Sequence, residues 1–167
     1  MNITNPLHQG DVLSATVLSS AGQGMTYGQV SYETLLNGLG TRTGGSGSTV
    51  RYVLGDSLSA IGGHGTADVA SLWVKQPVVR SQTQNVYVQI QLDSLWLDDL
   101  IDTANTQNDR KLLNTSFSLN GDTHNLLPRG LTSWKTTVSA GNVSFSNPAA
   151  QLADVSQFAD SQQAFRR

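Results

Sequence analysis

The sequence predicts an α+β chain rich in β-structure: an antiparallel sheet with one polar face and one face packed by one or two helices, the last at the C-terminus. Three observations carry that expectation. Glu33 is the single Glu, and Lys occurs only at 75, 111 and 135, although these two residue types normally fill the exposed faces of helices. Ser, Thr, Asn and Gln make up 59 of the 167 residues, with 16 Gly besides, a composition of strands and turns. Residues 86–92 alternate strictly, with Val86, Val88, Ile90 and Leu92 on one side and Tyr87, Gln89 and Gln91 on the other, the pattern of a strand with one wet face.

Taken in order, Asp11–Ser19 reads as a first strand, closed by the turn residues Gly22 and Gly24. Residues 26–36, with Tyr27, Val30 and Tyr32, read as a second. The stretch 37–48 holds five Gly and one apolar residue, Leu39, and is expected to be a flexible Gly-rich loop. Strand character returns at Thr49–Leu54, and a second break, Gly62-Gly63-His64-Gly65, leads into a hairpin. Its first strand, 69–76, sets Ala70, Leu72 and Val74 against Val69, Ser71, Trp73 and Lys75. Its second is 86–92, and Pro77–Asn85 connects them. Asp93 or Ser94 then caps an expected helix carrying Trp96, Leu97, Leu100, Ile101 and Ala104 at helical spacing, with Asp98 and Asp99 at its positive end. Thr115–Leu119 and Val138–Phe145 alternate as strands. Asn147-Pro148 opens the expected C-terminal helix 148–165, striped by Leu152, Val155, Phe158, Ala159 and Phe165.

One domain spanning 1–167 suits this length. The absence of cysteine excludes a disulfide scaffold, a thiolate nucleophile and thiolate metal ligands. Formal net charge is −2, so no global field draws the chain to nucleic acid or to acidic membranes. No apolar run reaches the length of a membrane span, and Met1-Asn2-Ile3-Thr4 lacks a basic, apolar leader. The expectation is a chain kept in a cytoplasm, or leaving it without a cleaved signal, with no membrane partner. His8, His64 and His124 are isolated, and the Asp-rich stretch 93–109 lacks calcium-loop spacing, so neither a metal nor another cofactor is expected.

Val53-Leu54-Gly55-Asp56-Ser57-Leu58-Ser59-Ala60 resembles the nucleophile block of the GDSL-type serine esterases, which implies Ser57 as nucleophile. The family's other blocks are incomplete. Asn108-Asp109 lacks its leading Gly, Asp122-Thr123-His124 has one residue too few between acid and base, and no His follows position 124. A strand end followed by a Gly-Asp turn is therefore the reading of this string, and no catalytic residue is assigned.

Written through, the hairpin runs Ser71-Leu72-Trp73-Val74-Lys75-Gln76-Pro77, then Arg80, then Asn85-Val86-Tyr87-Val88-Gln89-Ile90-Gln91-Leu92. It resembles the central hairpin of the coat proteins of single-stranded RNA bacteriophages, a match over about 25 residues. The resemblance implies that Ser71, Trp73, Lys75, Tyr87, Gln89 and Gln91 face RNA, with Arg51 and Arg80 near that face. It implies equally that Ala70, Leu72, Val74, Val88, Ile90 and Leu92 pack under helices. The expected function is a structural virion subunit, assembled in a host cytoplasm by self-association into a homo-oligomeric shell around nucleic acid. A low charge content with abundant polar residues suits identical surfaces repeated at every contact. A phage tail or fibre subunit, the Ser57 esterase, and a carbohydrate-binding β-domain using Trp73, Trp96 or Trp134 are the alternatives.

Overall fold

A computed structural model describes residues 1–20, 24–53, 55, 62–101, 106–124, 130–145 and 164–166. Within them the chain is all-β. Nine strands form one antiparallel sheet in which every strand pairs with its neighbours in sequence: β1 (Asn2–Thr4), β2 (Val12–Ser19), β3 (Met25–Leu35), β4 (Arg42–Val53), β5 (Gly63–Arg80), β6 (Gln84–Ile101), β7 (Thr106–His124), β8 (Leu131–Phe145) and β9 (Ala164–Arg166).

The expectation of an α+β fold with helices packed on the sheet is overturned, because the described residues contain no helix. As far as Ile101, the helix expected from Asp93 is the second half of β6; its last apolar position, Ala104, lies outside the described residues. Each residue from Asp93 to Ile101 is paired on both sides, with β5 from Ser71 to Gly63 and with β7 from Asn114 to Thr106. Two ladders satisfy all backbone groups here, and the segment has too little Ala, Glu or Lys for helix propensity, a matter of tenths of a kcal/mol per residue, to compete. Most of the expected C-terminal helix 148–165 lies outside the described residues. Its last two positions, Ala164 and Phe165, pair with Asn142 and Gly141 as part of β9.

The Gly-rich segment expected to be a loop from 37 to 48 is a loop only as far as Thr41; from Arg42 onward it is β4. Glycine weakens a strand because it brings no side chain, and cross-strand neighbours compensate. A Cβ on Gly44 would stand 2.6 Å from Cζ2 of Trp73 on β5 and 2.6 Å from the Tyr32 carbonyl oxygen on β3. The indole occupies the place that a side chain at 44 would claim.

Two details set the register. Pro77 interrupts the β5–β6 ladder at a bulge, where pairing shifts between Pro77 and Val79. A residue without an N–H is tolerated at such a point. The connection shortens to residues 81–83, closed by Ser81, whose N–H donates to the Gln84 carbonyl at 2.9 Å and whose hydroxyl oxygen accepts the Gln84 N–H at 2.9 Å. At the other edge, the turn between β1 and β2 winds around Asp11. This carboxylate accepts the Leu7 N–H (3.1 Å), the Gln9 N–H (3.3 Å) and the Tyr32 hydroxyl (3.1 Å).

The sheet has two chemically different faces. One carries Leu72, Val74, Ile90, Leu92, Leu113, Phe117 and Val138, all exposed. The other carries the polar side chains described below. Among the described residues the one large side chain that is fully buried is that of Asp11; the described part of the protein holds no fully buried apolar side chain.

Candidate nucleic-acid interface

Cross-strand pairing places Ser71 opposite Asp93, Trp73 opposite Gln91, Lys75 opposite Gln89 and Pro77 opposite Tyr87. Directly paired residues project to the same side of a sheet. Ser71, Trp73, Lys75, Tyr87, Gln89 and Gln91 therefore share one face. Arg80, paired with Asn85 beyond the bulge, belongs to the same face. Arg51 does not: it lies in register with Thr66 and Asp98 on the apolar side, one residue out of phase. The face extends onto β7 and β8 through Asn114, Ser116, Ser118, Asn120, Lys135, Thr137 and Ser139. The strand expected at 115–119 is thus longer than its sequence limits, and the alternation of Asn114, Ser116 and Ser118 with Leu113 and Phe117 is the signal for carrying it further.

Much of this polarity is consumed within the chain. Asp93 is the hub: its carboxylate accepts from the Ser71 hydroxyl at 2.6 Å, the Gln91 amide at 2.7 Å and the Asn114 amide at 3.2 Å. The Gln89 amide donates to the Gln91 side chain at 3.0 Å. Ser116 meets Ser139 at 3.0 Å, and Ser118 meets Thr137 at 2.9 Å. The Trp73 indole N–H donates to Glu33 at 3.1 Å, across the strand that holds Gly44, and Arg42 pairs with the other oxygen of Glu33. Charge-assisted bonds of this kind hold a half-buried carboxylate more firmly than neutral ones.

The same device recurs at the far end of the face. The Tyr52 hydroxyl on β4 donates to Asp99 on β6 at 2.6 Å, reaching across β5 at Gly65, and Arg110 on β7 closes the row with a 2.7 Å contact to Asp99. The hydrogen bond to Asp99, with partial burial and the negative charge of that carboxylate, pushes the Tyr52 phenol above its ordinary range, although Arg110 opposes the shift. The hydroxyl thus stays protonated and remains a donor. Between the two ends the face turns apolar, through Val69, Leu95, Leu112 and Val143.

What remains available to a partner is the end near the β5–β6 turn. Lys75 lies over the Tyr87 ring, 4.5 Å from its centroid. Arg80 and Lys135 are exposed on the same face. Cations beside an aromatic ring suit phosphate contact with base stacking. Ser57 lies outside the described residues. Among the described residues no group of three His, Asp or Glu is placed to hold a metal ion. Comparison with protein-family models, with curated proteins and with solved structures finds no match.

Proposed function

We propose that the protein is a structural virion subunit, of the kind represented by the coat proteins of single-stranded RNA bacteriophages, and that it works by repeated self-association around nucleic acid. The observation that carries this reading is the missing apolar interior. A sheet with one apolar face needs a second layer to cover it, and none is found among the described residues. An open apolar face is what obligate association removes from water. The cations around Tyr87 on the opposite face supply the surface for RNA.

Light scattering and negative-stain microscopy of the purified protein test the proposal. The expected result is large, regular particles that co-purify with nucleic acid. A monodisperse monomer at neutral pH and moderate salt overturns it, and long fibres or tubes free of nucleic acid would transfer the protein to the tail or fibre class.

A further inference from the structure

The apolar face has relief as well as chemistry. On its β3–β5 side lies a groove of about 560 Å³, bounded by Ala15, Val17, Val30, Gly47, Ala70 and Trp96. Gly47 forms its floor, and a Cβ built there would meet nothing within 4 Å. On the β6–β7 side the same face is raised by Ile90, Leu92, Leu113 and Phe117, which are about half exposed.

Register relates hollow to ridge. Gly47, Ala70, Ser94 and Leu113 form one row across β4, β5, β6 and β7. Gly45, Leu72, Leu92 and Thr115 form the next, and Thr43, Val74, Ile90 and Phe117 the one after. A two-fold axis parallel to the strands, running along the β5–β6 seam, preserves each row and exchanges β4 with β7 and β5 with β6. Leu113 of the second copy then stands over Gly47, and Phe117 of the second copy over Thr43. Leu72 meets Leu92, and Val74 meets Ile90. Each copy places its bulky strand against the other's glycine strand, which is the self-complementarity a closed dimer requires.

We infer that two copies of this chain pack face to face through their apolar faces about that axis, with β4 of each against β7 of the other. The inference rests on the reading of the protein as a self-associating subunit and specifies which surface begins the association. The area suffices. From Val86 to Trp96 along the strands and from β3 to β8 across them, the patch measures roughly 24 by 33 Å, and about 800 Å² from each partner makes a standard stable interface. The chemistry also favours a second copy. The three central rows contain no charged residue on β4–β7, and in the flanking row the same two-fold sets Asp68, which also lines the groove, over Trp96 and Lys111 over Thr49 of the second copy, so a duplicated surface meets no like charge.

The test uses the full chain. Gly47→Leu fills the groove in open space and leaves the protomer's own contacts untouched, while Ser46→Leu makes the same change on the opposite face of the same strand. Sedimentation velocity should show at least a tenfold weaker association for Gly47→Leu than for Ser46→Leu, at equal strand content by circular dichroism. A second measurement exploits the cysteine-free sequence: the double variant Gly47→Cys, Leu113→Cys should be joined into dimers by a short bismaleimide, and Ser46→Cys, Asn114→Cys should not. If Gly47→Leu associates as well as the unmodified protein and the first cysteine pair stays uncrosslinked while particles still form, the face-to-face dimer is wrong and the subunit reading stands. If the unmodified protein is a monomer, both fail.

Discussion

Gly65 leaves no room for a side chain. A Cβ there would lie 2.7 Å from the Tyr52 hydroxyl, 2.8 Å from the Asp98 carbonyl oxygen and 2.8 Å from Asp99 Oδ1. The carbonyl belongs to the paired strand and cannot yield, so Gly65→Ala should destabilise the protein by about 1–3 kcal/mol, the usual cost of overpacking. Tyr52→Phe, which removes only the hydroxyl, should cost about 1 kcal/mol. Urea unfolding of the two variants beside the parent measures both, and a neutral Gly65→Ala would mean that Tyr52 does not cross the strand there. Asp11 gives a pH dependence. Burial acts to raise its pKa, but backbone donors, including the Leu7 and Gln9 N–H groups, together with the Tyr32 hydroxyl outweigh it, and the carboxyl lies below its ordinary value. A folded-state pKa below the unfolded one stabilises the fold at neutral pH, and that stability is lost as pH falls below about 4. Thermal melts from pH 7 to pH 3 should show a decline that Asp11→Asn flattens, starting from a lower neutral-pH value. On the polar face, Lys75→Ala with Lys135→Ala should lower the nucleic acid recovered with the particles. It should also reduce the salt slope of binding by about one for each phosphate that is no longer neutralised; unchanged recovery at every salt concentration would move RNA off this face.

At the scale of elements, the strands show which local signals survive assembly into a sheet. The alternation of 86–92 and of 69–76 is reproduced as the two faces of β5 and β6, because a period-two pattern has one geometric solution once a strand forms. The segment beginning at Asp93 is ambiguous in sequence, since Trp96, Leu97, Leu100 and Ile101 fit a helical stripe as well as a strand, and short apolar runs do not distinguish the two. The Gly-rich segment is ambiguous for a different reason. Gly44 and Gly45 read as loop in isolation, and only the arrival of β5, with Trp73 against Gly44 and Leu72 against Gly45 some thirty positions later, supplies the bulk that makes them strand. Trp73→Ala should therefore loosen β4 more than β6. Amide exchange at 42–48 should quicken by at least tenfold, with global stability reduced by about 2 kcal/mol. Exchange unchanged along β4 would show that the indole is not what orders it.

For the whole molecule, the proposed self-association would couple folding to assembly, because the described residues form a single sheet with no second layer. Apolar burial dominates the stability of ordinary domains, and the described part of this chain has no large apolar side chain fully shielded within a single copy. Its melting temperature should accordingly rise with protein concentration, as mass action requires when the folded form binds its own kind. Differential scanning fluorimetry over a hundredfold concentration range reads this directly, and a constant melting temperature would place the stabilising contacts inside one chain.

The sequence alone determined the β-rich character, the hairpin at its centre and the two-sided chemistry of that hairpin. These follow from composition and from alternation, both local properties of the backbone. It also determined which polar residues share a face, except where phase was lost between segments. Arg51, on a strand separate from the hairpin, came out on the opposite side. Only the tertiary structure decided that residues 93–101 are strand, that glycines 44 and 45 sit within a sheet, and that Asp93 gathers Ser71, Gln91 and Asn114. Each of these depends on pairing between residues distant in sequence, and pairing energy from two flanking ladders outweighs the small propensities that a single segment expresses. The open apolar face belongs to the same category: alternation predicts that a face is apolar, but what packs against it depends on contacts beyond any one segment.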